Sequence, residues 1–122
     1  MFLQGFINEN LEPLVESIFL VGREGRIPLE AVLDTGFNGT LCLPQHLQAH
    51  CTLYALGLET FELADGTLVQ EVLYMGQLSI NDTICEVELT LTNAERALLG
   101  MQLLLDKIAT FNLKTMRIEV LD

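Results

Sequence analysis

The chain has 122 residues, half of them hydrophobic, and six Lys and Arg against seventeen Asp and Glu give it a formal net charge of −11. This length fits one domain over residues 1–122, and the hydrophobic fraction excludes a disordered chain. Six basic residues do not make the positive face that nucleic-acid binding needs, and no apolar run approaches the ~20 residues of a membrane-spanning helix. We therefore expect no nucleic-acid partner and no membrane partner.

The three cysteines indicate the redox setting of the chain. Cys42, Cys51 and Cys85 are an odd number and have no C-x-x-C spacing, so neither a disulfide framework nor a zinc finger is indicated. Reduced thiols that act as small hydrophobic side chains are the simplest interpretation. We therefore expect a cytoplasmic protein.

Short apolar runs separated by turn residues dominate the first ninety positions. Two glycines in the turn 22–25 and the Asp-Gly pair in the turn 64–67 predict hairpins, and a further turn is expected at 81–82. The predicted strands, in chain order, are residues 2–7, 14–21, 27–33, 40–43, 61–63, 68–74, 76–80, 84–92, 111–113 and 116–121.

Two segments have helical features. Pro44 suits the first turn of a short helix over residues 44–50. Asn93 can cap a late helix containing Ala97 and Met101, although Gly100 costs such a helix ~1 kcal/mol, so that a start at or after Gly100 is an equal alternative. Many short strands with one short late helix predict an all-β domain, either a small closed barrel or a sandwich.

The most informative motif is Asp34-Thr35-Gly36, which follows the hydrophobic residues 31–33. A carboxylate at such a strand end is held by the scaffold and exposed by the turn, although an ordinary Asp-initiated β-turn has the same three residues. Two further motifs follow in order. They are Ala64-Asp65-Gly66 at the tip of a predicted hairpin, and Leu98-Leu99-Gly100 before the late helix.

Together these motifs resemble the retropepsin-like (clan AA) aspartic proteases over residues 12–121, and Phe37 after the Asp-Thr-Gly is similar to a prokaryotic subgroup. The resemblance implies a small closed acid-protease barrel that works as a homodimer on a peptide or protein substrate, with no cofactor and no metal. It also implies that residues 98–100 support the active-site turn and that the terminal strands interleave with those of the partner. The implied site residues are catalytic Asp34, Thr35 and Gly36, and substrate-binding Phe37, Ala64, Asp65 and Gly66.

The implied activity is that of an aspartic endopeptidase, which uses a pair of carboxylates sharing one proton. The chain has only one Asp-Thr-Gly, since Asp82-Thr83-Ile84 lacks the glycine. The second carboxylate would therefore be Asp34 of the other copy in a two-fold dimer. Phe37 stands where the family usually has Ala or Ser, and Met101 stands where retroviral members have Arg. A non-catalytic dimeric peptide-binding or dimerisation module that retains the fold is the alternative.

A metal site is the other alternative that the sequence offers. His46 and His50 have i, i+4 spacing beside Cys51, which can bind a metal on a helix. No third ligand lies at a useful spacing, so a solvated helix face is the preferred interpretation and we expect no metal.

Overall fold

The computed structural model describes residues 1–122 and is mostly β, with 57% of residues in strands and 8% in short helices. The predicted all-β class is confirmed. Two 3₁₀ helices, Gln45–His50 and Met101–Leu104, are the only helical segments. The strands are β1 Leu3–Ile7, β2 Pro13–Val15, β3 Ile18–Gly22, β4 Gly25–Pro28, β5 Ala31–Leu33, β6 Leu41–Pro44, β7 Tyr54–Glu62, β8 Leu68–Ile80, β9 Thr83–Thr92, β10 Ala97–Leu99, β11 Ile108–Asn112 and β12 Arg117–Leu121.

All twelve strands join one open sheet. Its order is β11-β12-β1-β2-β5-β10-β6-β9-β8-β3-β4, and β7 pairs with β8 beside this path. The sheet does not close into the expected barrel, because its two end strands, β11 and β4, each pair with one neighbour and not with each other. Strand β4 has only four residues and ends at Pro28, which has no N–H to donate to a further strand.

The hydrophobic core follows from the alternation of side chains along the strands. In β1 the residues Leu3 and Ile7 are buried, and in β12 the residues Ile118 and Val120 are fully buried. The two strands pair antiparallel, with Leu3 opposite Val120. Burying each of these side chains contributes ~1.5–3 kcal/mol, so the two ends of the chain are held together by a shared apolar face.

Two predicted strands are each divided in the structure. The segment 14–21 is broken at Ser17, where φ is 53°, and the segment 27–33 is broken between β4 and β5. In each case the two halves pair with different neighbours. Strand β2 pairs with β1 and β5, whereas β3 pairs with β4 and β8. Strand β4 pairs with β3, whereas β5 pairs with β2 and β10. The predicted hairpin at 22–25 is confirmed, with Gly22 opposite Gly25.

The middle of the chain forms two consecutive hairpins. The β7–β8 hairpin closes over residues 63–67, as predicted, but its strands are longer than predicted, and β8 continues through the segments 68–74 and 76–80 as one strand of 13 residues. The predicted turn at Asn81 and Asp82 is confirmed. Both residues have positive φ, 50° and 67°, which matches the twist of the flanking strands β8 and β9.

The late helix begins after Gly100, and the alternative that starts it at Asn93 is wrong. Residues Ala97–Leu99 form β10, which pairs parallel with β5 and antiparallel with β6. Because β10 lies between two strands, its apolar run is buried in the sheet and its helical pattern is overridden. The helix that follows is a 3₁₀ segment of four residues, Met101–Leu104. No helix in the structure has the length and apolar character needed to cross a membrane.

The tip of the β7–β8 hairpin should be more mobile than the sheet beneath it, because residues 62–68 are all exposed whereas Ala31 and Leu33 are buried. We expect the backbone amides of residues 62–70 to exchange with solvent faster than those of Ala31–Leu33, as measured by hydrogen–deuterium exchange. Amides in the paired middle of β9 serve as an internal reference. Equal protection of the tip and of β5 would contradict a mobile hairpin.

Candidate functional site

The Asp-Thr-Gly turn lies at the end of β5 and is closed by its own hydrogen bonds. The N–H of Gly36 donates to Asp34 Oδ1 at 2.8 Å, and the N–H of Phe37 donates to the Asp34 carbonyl oxygen at 3.1 Å. Ala31 and Leu33 are buried and anchor the strand, whereas Asp34 is half-buried and Thr35 and Gly36 are exposed. The carboxylate is therefore oriented by the backbone and still accessible.

A second segment, residues 98–102, fixes the loop that carries this turn. We call residues 34–40 the Asp-Thr-Gly loop. The N–H of Asp34 donates to the Leu99 carbonyl oxygen at 2.8 Å. In return, the N–H groups of Gly100, Met101 and Gln102 donate to carbonyl oxygens of the loop, at 2.9, 2.8 and 3.2 Å, with Thr40, Phe37 and Gly39 as the respective acceptors. Leu99 and Gly100 therefore hydrogen-bond to the loop, as expected for a supporting segment, whereas Leu98 pairs with Val32 and Cys42 in the sheet.

Gly100 is required by the close approach of these two segments. A Cβ atom on Gly100 would overlap the carbonyl oxygen of Gly39 and would lie 2.7 Å from the carbonyl oxygen of Phe37. Both obstacles are backbone atoms, so they cannot move aside without displacing the Asp-Thr-Gly loop. Only glycine fits at this position.

Phe37, predicted to bind substrate, packs its ring on its own loop. A Cβ on Gly39 would lie 2.7 Å from Phe37 Cζ, and a Cβ on Gly100 would lie 2.7 Å from Phe37 Cδ2. The ring is half-buried, and it also lines the space between the loop and the β7–β8 hairpin. Its main contacts are thus internal, and contact with a substrate stays a prediction.

The turn of the β7–β8 hairpin contains the three other predicted substrate-binding residues, Ala64, Asp65 and Gly66, and all three are exposed. Thr67 N–H donates to Asp65 Oδ1 at 2.9 Å, and Gly66 has φ 87°. Hydrogen bonds from Thr67, from its side chain and then from its backbone, hold the pKa of the Asp65 carboxyl below its usual value. The turn is well formed in the free chain.

A cleft of about 580 Å³ separates the Asp-Thr-Gly loop from the hairpin. The structure thus brings Gly36 and Phe37 to one wall of the cleft, but Asp34 and the hairpin-tip residues 64–66 do not line it. The lining residues are Gly36, Phe37, Asn38 and Gly39 on the loop, Glu59, Thr60, Phe61, Glu62, Leu63, Val69 and Glu71 on the hairpin, and Cys42, Thr90, Leu91, Thr92 and Gln102 between them.

Three glutamates of this cleft, Glu59, Glu62 and Glu71, were not predicted from the sequence. Glu59 and Glu71 lie opposite each other in the β7–β8 register, next to the pair Phe61 and Val69, and all four side chains line the cleft. Like charges in such cross-strand positions are unfavourable in an isolated sheet. No Lys, Arg or His lines the cleft, so Glu59, Glu62 and Glu71 give it a negative charge. The sequence signal that could have placed Glu59 and Glu71 on one face of the hairpin is the alternation Glu-x-Phe at 59–61 and Val-x-Glu at 69–71.

A second, apolar cavity lies on another side of the Asp-Thr-Gly turn. Its volume is about 320 Å³, and Thr35 is the one polar side chain among the seven residues that line it. Leu11 and Leu113, at its rim, are 66% and 61% exposed. The other lining residues are Ile7, Pro13, Leu33 and Phe111. Leu11 and Leu113 therefore expose apolar surface to water beside the Asp-Thr-Gly turn.

The terminal strands β1 and β12 pair with each other within the chain, and their interleaving with a partner stays a prediction. Strand β12 pairs with β1 along one edge and with β11 along the other, with Ile108 opposite Leu121. Both edges of β12 are therefore occupied by the chain's own strands. The free edge at this end of the sheet belongs to β11.

The cysteines and histidines form no site of their own. No group of three or more His, Cys, Asp and Glu side chains is arranged to hold a metal ion. Cys51 is buried, and its thiol donates to the Leu47 carbonyl oxygen at 3.6 Å. Burial raises the pKa of the Cys51 thiol, partly opposed by the charge of Arg23, and burial likewise raises the pKa of Cys85, opposed by Lys107. These thiols are poor nucleophiles near neutral pH.

Replacing Gly100 by Ala should destabilise the protein, because the added methyl group meets the backbone of Gly39 and Phe37. We expect a loss of about 1–3 kcal/mol or more in the free energy of unfolding, measured by urea denaturation. Gln102→Ala, which removes an exposed side chain from the same segment, is the control and should cost little. A Gly100→Ala protein as stable as wild type would show that the two segments are not in close contact.

A scan against protein-family models, a search of curated proteins and a search of solved structures found no match.

Proposed function

We propose that this chain is an aspartic endopeptidase that acts as a homodimer, with Asp34 of each copy forming the catalytic pair. The observation that carries the proposal is the Asp-Thr-Gly turn itself. Its carboxylate is half-buried, accepts the Gly36 N–H at 2.8 Å, and is tied through the Asp34 N–H to Leu99. Asp34 does not itself line the cleft of about 580 Å³, but Gly36 and Phe37 of the same turn do, and a carboxylate oriented in this way next to a peptide-sized cleft suits hydrolysis of a bound peptide.

The proposed chemistry needs two carboxylates in different protonation states. One Asp34 carboxylate takes a proton from a water molecule, whose oxygen attacks the carbonyl carbon of the peptide bond. The other carboxyl gives its proton to the carbonyl oxygen, which produces the tetrahedral diol. Two carboxylates that face each other at short range cannot both ionise cheaply, so a pair retains the single proton that this step requires.

The apolar surface beside Thr35 supports a second copy as the source of the other carboxylate. Leu11 and Leu113 are largely exposed at the rim of the cavity that Thr35 lines. A two-fold axis next to the turn would cover these leucines and would bring the two Asp-Thr-Gly turns together. In this arrangement the exposed Thr35 hydroxyl can hydrogen-bond across the dimer.

The cleft supports an extended peptide as the substrate. The β7–β8 hairpin and the Asp-Thr-Gly loop face each other across it, and β7 pairs only with β8, so that a peptide could add as a strand to its other edge. Glu59, Glu62 and Glu71 give the cleft a negative charge, which disfavours peptides with acidic side chains.

Cleavage of a peptide library at pH 4 to 7 tests the activity. We expect cleavage by the wild type and none by Asp34→Ala. Asp82→Ala is the matched control, because Asp82-Thr83 has the same two residues in the β8–β9 turn and should keep full activity. Cleavage that survives in Asp34→Ala would contradict the proposal. Peptide binding by the wild type without cleavage would instead favour the non-catalytic peptide-binding module.

The dimer should be visible in solution and should depend on the apolar rim. Sedimentation at micromolar concentration is expected to give about twice the chain mass of 13.6 kDa. Leu113→Glu should dissociate the dimer and abolish cleavage, because it places a charge in the covered surface. Ile84→Glu is the control, since Ile84 is also 61% exposed but does not line this cavity. An active monomer would contradict the model, because one Asp34 cannot act as both acid and base.

Asp34→Asn should remove catalysis without weakening the dimer at neutral pH. Two ionised Asp34 carboxylates repel each other, whereas two amides of the same size do not. We expect thermal melts at neutral pH to show a mutant dimer at least as stable as wild type. A mutant less stable than wild type at neutral pH would show that Asp34 does not face a second carboxylate.

A further inference from the structure

We propose that Phe37 is a positioning residue, whose ring fills a socket made by Gly39 and Gly100 and thereby fixes the turn that carries Asp34. The inference rests on the proposed function of that turn, and it gives Phe37 a role other than binding substrate. It follows from the contacts of the ring and from the hydrogen bonds of the Phe37 backbone.

The ring contacts both segments that hold the loop. The three atoms nearest to a Cβ built on Gly39 all belong to the Phe37 ring, at 2.7, 2.8 and 3.6 Å. A Cβ built on Gly100 would meet the same ring at 2.7 Å. The ring therefore occupies the space that side chains would take at positions 39 and 100, and it joins the loop to the segment behind it.

The backbone of Phe37 connects the ring directly to the Asp34 turn. Its N–H donates to the Asp34 carbonyl oxygen at 3.1 Å, which closes the turn, and its carbonyl oxygen accepts the Met101 N–H at 2.8 Å. A displacement of Phe37 would loosen both bonds together. The Gly36 N–H, which donates to Asp34 Oδ1 at 2.8 Å, lies between these two residues and would move with them.

Apart from its hydrogen bonds, no other large side chain packs this part of the loop onto the protein. Thr35, Gly36 and Asn38 are exposed, and Gly39 has no side chain, so Phe37 is the large apolar residue through which the loop packs on the protein. Loss of the ring would leave the loop held by its hydrogen bonds alone. An exposed, sparsely packed loop populates open conformations more readily.

A double-mutant cycle on stability tests the socket without any assay of activity. Gly39→Ala in the wild type should lower the melting temperature, because its methyl group meets the ring. In a Phe37→Ala background the same change should cost little, since the obstacle is gone. Gly100→Ala is the matched control and should stay unfavourable in both backgrounds, because its methyl group also meets the Gly39 carbonyl oxygen. Additive effects of Phe37→Ala and Gly39→Ala on the melting temperature would overturn the proposed packing of the ring against Gly39.

Exchange of the Gly36 amide tests whether the ring positions Asp34. We expect this amide to exchange several-fold faster in Phe37→Ala than in wild type, with partial recovery in Phe37→Leu, which retains an apolar side chain. Phe61→Ala is the control, because it removes a ring from the opposite wall of the cleft. Unchanged Gly36 exchange in Phe37→Ala would overturn the positioning role.

Kinetics separate positioning from substrate binding. If Phe37 positions Asp34, Phe37→Ala should lower kcat by one common factor across substrates that differ in their side chains, with little change in KM. A loss that depends on the substrate side chain and appears in KM would assign Phe37 to substrate binding and would overturn the proposal. A wild type that cleaves no peptide would refute the protease function, while the stability cycle and the Gly36 exchange would still decide the role of the ring.

Discussion

At Gly100 the backbone of one segment runs so close to the carbonyl group of Gly39 that no side chain fits between them. This approach allows three consecutive N–H groups, from Gly100 to Gln102, to reach carbonyl oxygens of the Asp-Thr-Gly loop. It also sets β10 between β5 and β6, so that the strand carrying Asp34 is supported from within the sheet. The orientation of the carboxylate therefore depends on a glycine that is more than sixty residues away in the chain.

The few basic residues are placed away from the cleft. Arg96 pairs with Glu12, Arg117 pairs with Glu16 at 2.9 Å, and Lys107 pairs with Asp122 at 3.0 Å. The cleft between loop and hairpin is lined by glutamates without a basic partner. A formal charge of −11 is thus not spread evenly, and the field at the cleft attracts cationic groups while it repels anionic ones.

The strands and turns with local signals could be predicted from the sequence, and the features that depend on distant partners could not. The placement of Asp34 after an apolar strand and the turn at Asn81 each follow from neighbouring residues. The apolar run at Ala97 has a helical pattern, but its burial between β5 and β6 decides its conformation. Glu59 faces Glu71 only because of the β7–β8 register, and the open sheet follows from the pairings of its outermost strands.

Because β1 pairs with β12 inside one chain, burial of the terminal strands does not depend on a second copy. Leu3, Ile118 and Val120 complete their burial without a partner, so a single copy already has a closed hydrophobic core at its chain ends. Dilution of a dimer built on this protein would release folded subunits rather than unfolded chains. If the chain is the proposed homodimeric protease, its activity would then depend on its own concentration.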